Sequence, residues 1–409
     1  MRQRGWDKAV VGWVLLAAAC AAGENWPMWR GPRLDGTSAE TKVPVRWSAT
    51  ENIAWKTAIP GKGHASPIVW EDRLFVVTCD EETTERLLLC LDVADGRELW
   101  RRTVLTAPLE RLHSLNSRAS STPATDGWRV YVSFLDRDQM FAAAYDFEGR
   151  RLWEARPGPF ASVHGYCSSP ILWRDKVILN GDHDGPAYLV ALDAATGRTV
   201  WTTPRPNNTR SYCAPIIEAI DGRTQMILSG NKCVASYDPE DGRQHWIIDG
   251  PTEQFVASLV YNGKLLFLTC GFPDRYMLGI RPDGRGNVTH THEVWRRDED
   301  AAYVPSPIAF GPYFLVVSDT GVASCVMAED GRLVWRQRLG GRHSASLVSA
   351  DGRVYFLSDR GRMTVVRPGR VFEAVAENDL GEGMNASPAI SGGRMYLRGE
   401  KHVFCIGAE

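Results

Sequence analysis

Short apolar stretches, each a few residues long and cut by Gly, Pro or Asp, run along most of the chain, while long uninterrupted helical patterns of apolar residues are few. That pattern predicts many short strands joined by tight turns. One unit recurs throughout, ending in a small residue, an Asp two positions on, a Gly four further and a Trp four beyond that. Its clearest copy is Ala191, Asp193, Gly197 and Trp201. The spacing repeats at Cys90, Asp92, Gly96 and Trp100, and at Ser236, Asp238, Gly242 and Trp246. A copy one residue shorter has Ala144, Asp146, Gly149 and Trp153, and a weaker one keeps Gly331 and Trp335 but has Met327 in place of the Asp.

Each part of the unit has a physical reason. The Asp side chain can accept bonds from the backbone amides of the turn it opens. The Gly supplies a positive φ, and the Trp offers a broad surface to bury against a neighbouring sheet. One such sheet leaves a face bare, whereas sheets repeated radially cover one another. Two series count the repeats. Outer-strand aromatics fall at Trp55, Trp100, Trp153, Trp201, Trp246, Trp295, Trp335 and Phe372. Inner-strand starts fall at Ser66, Thr122, Ser169, Ala214, Ser258, Ser306, Ser346 and Ser387. Trp55 precedes the first start, and no aromatic strand follows the last. The expected fold is therefore all-β, an eight-bladed β-propeller of four-stranded antiparallel blades, closed when the strand around Asn52–Ile59 completes the last blade. A seven-bladed ring with one degenerate repeat is the alternative.

Composition fits this picture: 15 Trp, 38 Gly and 23 Pro suit strands and turns, and the apolar content suffices for a core. A net charge of -2 with dispersed Lys and Arg excludes a concentrated basic face for nucleic acid. Arg2, Arg4 and Lys8 precede a short apolar run, Val10 to Ala19, and small residues follow to Gly23. Residues 1–23 read as a signal peptide and 24–409 as a single propeller domain, exported to the periplasm or cell envelope, with no membrane span in the mature chain. A retained anchor is one alternative, and lipidation at Cys20 another. In an oxidising compartment Cys79 and Cys90, on two arms of one hairpin, are candidates for a bridge. Neither adjacent cysteines nor a CxxC pair occurs, so a zinc site of ordinary spacing is unsupported.

The small-x-Asp-x-x-x-Gly-x-x-x-Trp unit resembles the tryptophan-docking motif of pyrroloquinoline-quinone (PQQ) propellers. The opening Trp26, Pro27, Met28, Trp29, Arg30, Gly31 and Pro32, followed by Trp55, Pro60 and His64, resembles exported bacterial PQQ-like repeat proteins, a family that includes quinoprotein dehydrogenases and BamB-like scaffolds. The resemblance spans roughly residues 25 to 409 and implies a fold rather than an activity. It also implies that residues just before each inner strand ring the mouth of a central channel. These are His64, Arg118, His164, Tyr166, Arg210, Tyr212, Gln254, Tyr303, Arg342, His343 and Asn385. A small-molecule or peptide site is expected there, against the alternative of plain solvated decoration.

Quinoprotein dehydrogenases of this family hold PQQ against a Trp and a ring of two adjacent cysteines, with calcium on carboxylate and amide oxygens. This chain has no adjacent cysteine pair, and the mouth residues named include no Asp or Glu, so no cofactor is expected and no catalytic residue is assigned. His290 and His292 alternate on an expected strand and read as a solvent-facing pair. Asp182 to Pro186 read as an ordinary acidic turn rather than a calcium loop. The Ser-Pro starts recur with the blades and read as structural. The expectation is a non-catalytic, monomeric BamB-like scaffold that binds envelope proteins or a small ligand. A PQQ-dependent dehydrogenase with a divergent site and a carbohydrate-binding propeller are the alternatives.

Overall fold

The structure, a computed structural model, describes residues 23–407, so all but Gly23 of the signal peptide expected over 1–23, with Cys20, lies outside the described residues. All regular elements among the described residues are strands, arranged as eight antiparallel blades. The blades span 68–106, 124–159, 171–204, 216–249, 260–297, 308–338, 348–379 and 389–406. The last is completed by Ile53–Ala58, which pairs with His402–Ile406, Trp55 opposite Cys405. Blade 4 carries a fifth short strand, Gly286–Asn287, parallel to Gln244–Asp249. The ring therefore has eight members and closes as the two ends of the strand pattern require.

Neighbouring blades are joined through the tryptophans. Trp153 Nε1 donates to the Ala194 carbonyl of blade 3 at 3.0 Å. Trp55 does the same to Val93, Trp100 to Phe147, Trp201 to Pro239, Trp295 to Ala328 and Trp335 to Gly369. Gly197 shows why the turn needs glycine twice over. Its φ is +71°, and a Cβ there would stand 2.6 Å from the Trp153 ring. Trp246 departs, donating instead to Gln225 Oε1 of its own blade at 2.8 Å. The opening Asp side chains accept turn amides, as Asp193 Oδ1 does from Thr196 at 2.8 Å.

One aromatic marker is corrected. Phe372 lies before the outer strand Ala374–Asp379, packing edge-on against Trp335, and the Trp-equivalent position is Ala376, opposite Val365. Trp47 of the N-terminal segment is buried in the same hydrophobic cluster as Ala376. Asn378 holds that segment in place, Oδ1 accepting from the Trp47 amide and Nδ2 donating to the Val45 carbonyl.

A second correction concerns the cysteines. On the hairpin Arg73–Asp80 and Glu85–Asp92, Cys79 faces Arg86 and Cys90 faces Phe75. Four residues of strand, roughly 13 Å, separate their positions along the hairpin, and both thiols are free.

Candidate functional site

Eight inner strands begin around the axis, and their first residues form a hydrogen-bonded girdle. The Ser66 amide donates to Thr122 Oγ1 at 2.9 Å, and the Thr122 amide to Ser169 Oγ at 3.0 Å. The run continues from Ala214 to Ser258, Ser306, Ser346 and Ser387. Ala214 has no hydroxyl, so it cannot receive the Ser169 amide in this way. The Ser-Pro starts thus tie blade to blade.

Side chains alternate along extended chain, so the residue two before each start also faces the axis. Those eight positions are His64, Ser120, Cys167, Tyr212, Val256, Val304, Ser344 and Asn385, and all line one axial cavity of ≈ 190 Å³. The intervening residues, among them Ala65, Ser168, Cys213 and Ala257, are buried between blades. The same eight residues continue into a deeper space of ≈ 110 Å³ at the girdle, where Trp29 joins the lining.

Trp29 arrives from the far end of the ring. The segment 26–32 crosses the distal ends of the inner strands, Trp26 pairing with Val69 through both backbone bonds and Pro27 accepting from the Thr125 amide. Arg30, fully buried, anchors it by donating to the Pro307 carbonyl at 2.6 Å and to the Asp35 carbonyl. The axial channel is therefore a cup, open at the mouth and floored by Trp29.

The cup wall is uncharged. His64 Nδ1 meets the Leu115 carbonyl at 3.2 Å and so must donate, leaving Nε2 to accept from Asn385 Nδ2 at 3.3 Å. Burial, against the Leu115 bond and with help from nearby Arg398, pulls the His64 pKa down to about 4. Burial likewise pushes the Cys167 thiol up to about 12, so it is protonated and a poor nucleophile. At the rim, Arg210 donates to His164 Nδ1 at 3.3 Å and pairs with Asp184 at 2.7 Å. Tyr303, above Gly271, donates to Gln254 Oε1 at 3.3 Å.

Of the eleven residues expected at the mouth, His64, His164, Tyr212, Tyr303 and Asn385 line the cup. Arg210 and Gln254 support its rim. Arg118 faces a separate opening and pairs with Glu81 at 2.5 Å. Tyr166 is buried behind the wall, donating to Ser133 Oγ at 3.1 Å. His343 is buried too, with Nδ1 lacking a partner, while Arg342 is solvent-exposed 3.9 Å from Asp359. Ser120, Cys167, Val256, Val304 and Ser344 were missed, although their fixed offset from the starts would have found them.

Two minor features also differ from expectation. His290 and His292 lie in a turn before the strand Glu293–Arg297, and His292 Nε2 is 3.2 Å from Asp283. Asp182 is no surface turn residue but half of a fully buried pair with Arg205. No group of three or more His, Cys, Asp or Glu suited to a metal occurs among the described residues. The cup lining has no Asp or Glu and no adjacent cysteines, so these residues do not fit PQQ with calcium.

His343, like His64, is pulled down to about 4 by burial. In the unfolded chain both rings would titrate near the ordinary value of 6.5. Between about pH 6.5 and 4 the unfolded state therefore binds protons that the fold refuses, and stability falls as pH falls. The slope is about 1.4 kcal/mol per pH unit for each ring. Urea unfolding from pH 7 to 5 should show this fall, flattened in His64→Gln and His343→Leu. Identical slopes in all three proteins would contradict the assignment.

Comparison with known proteins places this geometry. The family described as "Outer membrane protein assembly factor BamB" matches residues 37–134, 84–260 and 287–371, more than half of the chain. The BamB of Yersinia pestis is 25% identical over 278 residues, 61% of this chain and 66% of that protein. The BamB of Alkalilimnicola ehrlichii is 24% identical over 220 residues, 51% of this chain and 53% of that protein. The chain thus matches just under two thirds of the first relative's length and about half of the second's. Among solved structures, BamB from Moraxella catarrhalis has TM-score 0.62 at 12% identity, covering 87% of this chain and 96% of that one. The quinohemoprotein alcohol dehydrogenase ADHIIG of Pseudomonas putida HK5 has TM-score 0.64 at 12% identity, covering 94% and 80%. At those identities the structures speak to the fold alone, and it is the sequence match along the ring that decides: the chain belongs to the PQQ-repeat propeller family of outer membrane protein assembly factor BamB.

Proposed function

We propose that this chain is a non-catalytic scaffold propeller of the bacterial cell envelope that receives a segment of a partner protein at the mouth of its cup. The observation that carries the reading is the cup wall: eight positions, one per blade, none a carboxylate, with His64 neutral and Cys167 protonated. Such a wall offers shape, hydrogen bonds and apolar contact to a side chain or loop, without a base or a poised nucleophile. The BamB relatives are named as outer membrane assembly factors, and that supports a protein partner in the envelope.

A photo-crosslinking residue at Val304 or Ser344, inside the cup, is expected to capture envelope proteins, and one at Val200, exposed on an outer strand, is not. Equal capture at all three positions, or none, would remove the reading. The dehydrogenase alternative makes the opposite forecast for ligands. Adding PQQ and calcium should leave the melting temperature of the purified protein unchanged, whereas a native-state ligand at a hundredfold excess over its Kd would stabilise it by about 2.7 kcal/mol. A clear upward shift would overturn the non-catalytic assignment.

A further inference from the structure

Beside the cup, the mouth face carries a second opening between blades 8 and 1. It is a cavity of ≈ 640 Å³ that shares only His64, Asn116 and Asn385 with the cup. Arg398, at the end of the strand Arg394–Arg398, lines it with a side chain 2% exposed.

A buried guanidinium keeps its proton and ordinarily has a carboxylate beside it. Arg205 has Asp182, and Arg86 has Glu110 at 2.5 Å. Arg398 has only neutral acceptors. Nη1 donates to the Val77 carbonyl at 2.6 Å and Nη2 to Thr78 Oγ1 at 3.3 Å, while Nε, equally buried, has no partner. Burial alone pulls its pKa down to about 10, as befits a charge without a counter-ion.

Nε and Nη2 form one edge of the guanidinium, the edge through which arginine takes a carboxylate by two parallel N–H···O bonds. Gly63 packs against this side of the guanidinium, where a Cβ would stand 2.8 Å from Nη2. The φ of Gly63 is not among the positive ones, so close approach, to Arg398 and to the Ala119 and Val77 carbonyls, is what asks for glycine. Around the cavity Lys62, Arg118, Arg398 and Lys401 face Glu81 and Glu400. Lys62 and Arg118 share Glu81, at 2.9 and 2.5 Å, so positive charge is in excess.

We propose that this cavity binds a carboxylate, taken side-on by the Nε–Nη2 edge of Arg398 with Lys401 at the rim. Resting on the scaffold reading, the carboxylate is that of an acidic residue in the partner segment, whose neighbour enters the cup. A free organic acid carries the same chemistry.

Calorimetric titration of the purified chain separates these sources. The probes are a capped Gly-Phe-Gly-Glu-Gly peptide, its glutamine counterpart and succinate. The glutamate peptide is expected to bind about tenfold more tightly than the glutamine one, the difference expected of a charge-assisted pair. Arg398→Lys keeps the charge but loses the fork, and should lose about the same factor. Lys401→Gln, at an exposed position and so harmless to folding, should weaken binding about threefold and flatten its salt dependence. Succinate binding beside peptide silence would keep the site and reassign its ligand to a small acid. Silence of all three probes at millimolar concentration, or unchanged affinity in both variants, would overturn the proposal. Capture at Val304 would survive that failure, so the two readings fall separately.

Discussion

Asp182→Ala is expected to cost about 3–5 kcal/mol of folding stability, the loss typical of breaking a buried ion pair from one side. Asp182 accepts from Arg205 Nε at 3.0 Å and Nη2 at 3.2 Å, and from Ser211 Oγ at 2.7 Å, with both charged side chains wholly buried. Arg205 also donates to the Tyr237 hydroxyl at 2.7 Å and the Gly230 carbonyl at 2.9 Å. Burial works against the guanidinium charge, and the Asp182 carboxylate more than offsets it, holding the Arg205 pKa well above its ordinary value. Removing the carboxylate strands that charge in the protein interior. Replacing both partners, Asp182→Leu with Arg205→Met, removes the charge as well and should recover much of the loss. Urea unfolding of the three proteins checks this, and a single-variant loss below about 1 kcal/mol would mean that water reaches the pair.

Trp153→Ala should cost a comparable amount, about 3–5 kcal/mol, because it empties a contact between two blades and leaves the Ala194 carbonyl only the Tyr131 hydroxyl, at 3.2 Å, as donor. Trp128 supplies the control: it is 79% exposed at a hairpin tip, and its replacement by alanine should change stability by less than about 0.5 kcal/mol. Equal effects at the two tryptophans would show that Trp153 is not joining blade to blade.

These two sites mark what the sequence made legible. Trp153 belongs to a periodic series, and periodicity survives in one dimension, so blade number and ring closure follow from the spacing of residues along the chain. The exception is instructive, since at blade 7 the docking position is held by Ala376, in a cluster that also takes in Trp47, far away along the chain. Asp182 and Arg205 belong to no series. Their pairing depends on a loop and a strand end meeting in space, and without that contact Asp182 reads as one more acidic turn residue. The cup shows both cases. Its eight wall positions follow from a constant offset to the starts, but choosing polar or aromatic residues over that offset brought in the buried Tyr166 and His343 and passed over Cys167 and Val304. The floor formed by Trp29 had no local signal, because what makes the segment 26–32 a plug is the hole it fills.

The pairing of Ile53–Ala58 with His402–Ile406 has a consequence for how the molecule comes into being. A chain that emerges from its N-terminus exposes the first of these strands before the other strands of the ring and the second after them. Throughout that interval the early strand has no proper neighbour, and its unpaired amides and carbonyls invite pairing with whatever is nearby. The ring therefore cannot be sealed until the second strand has emerged, and until then the early strand is an open edge exposed to its neighbours.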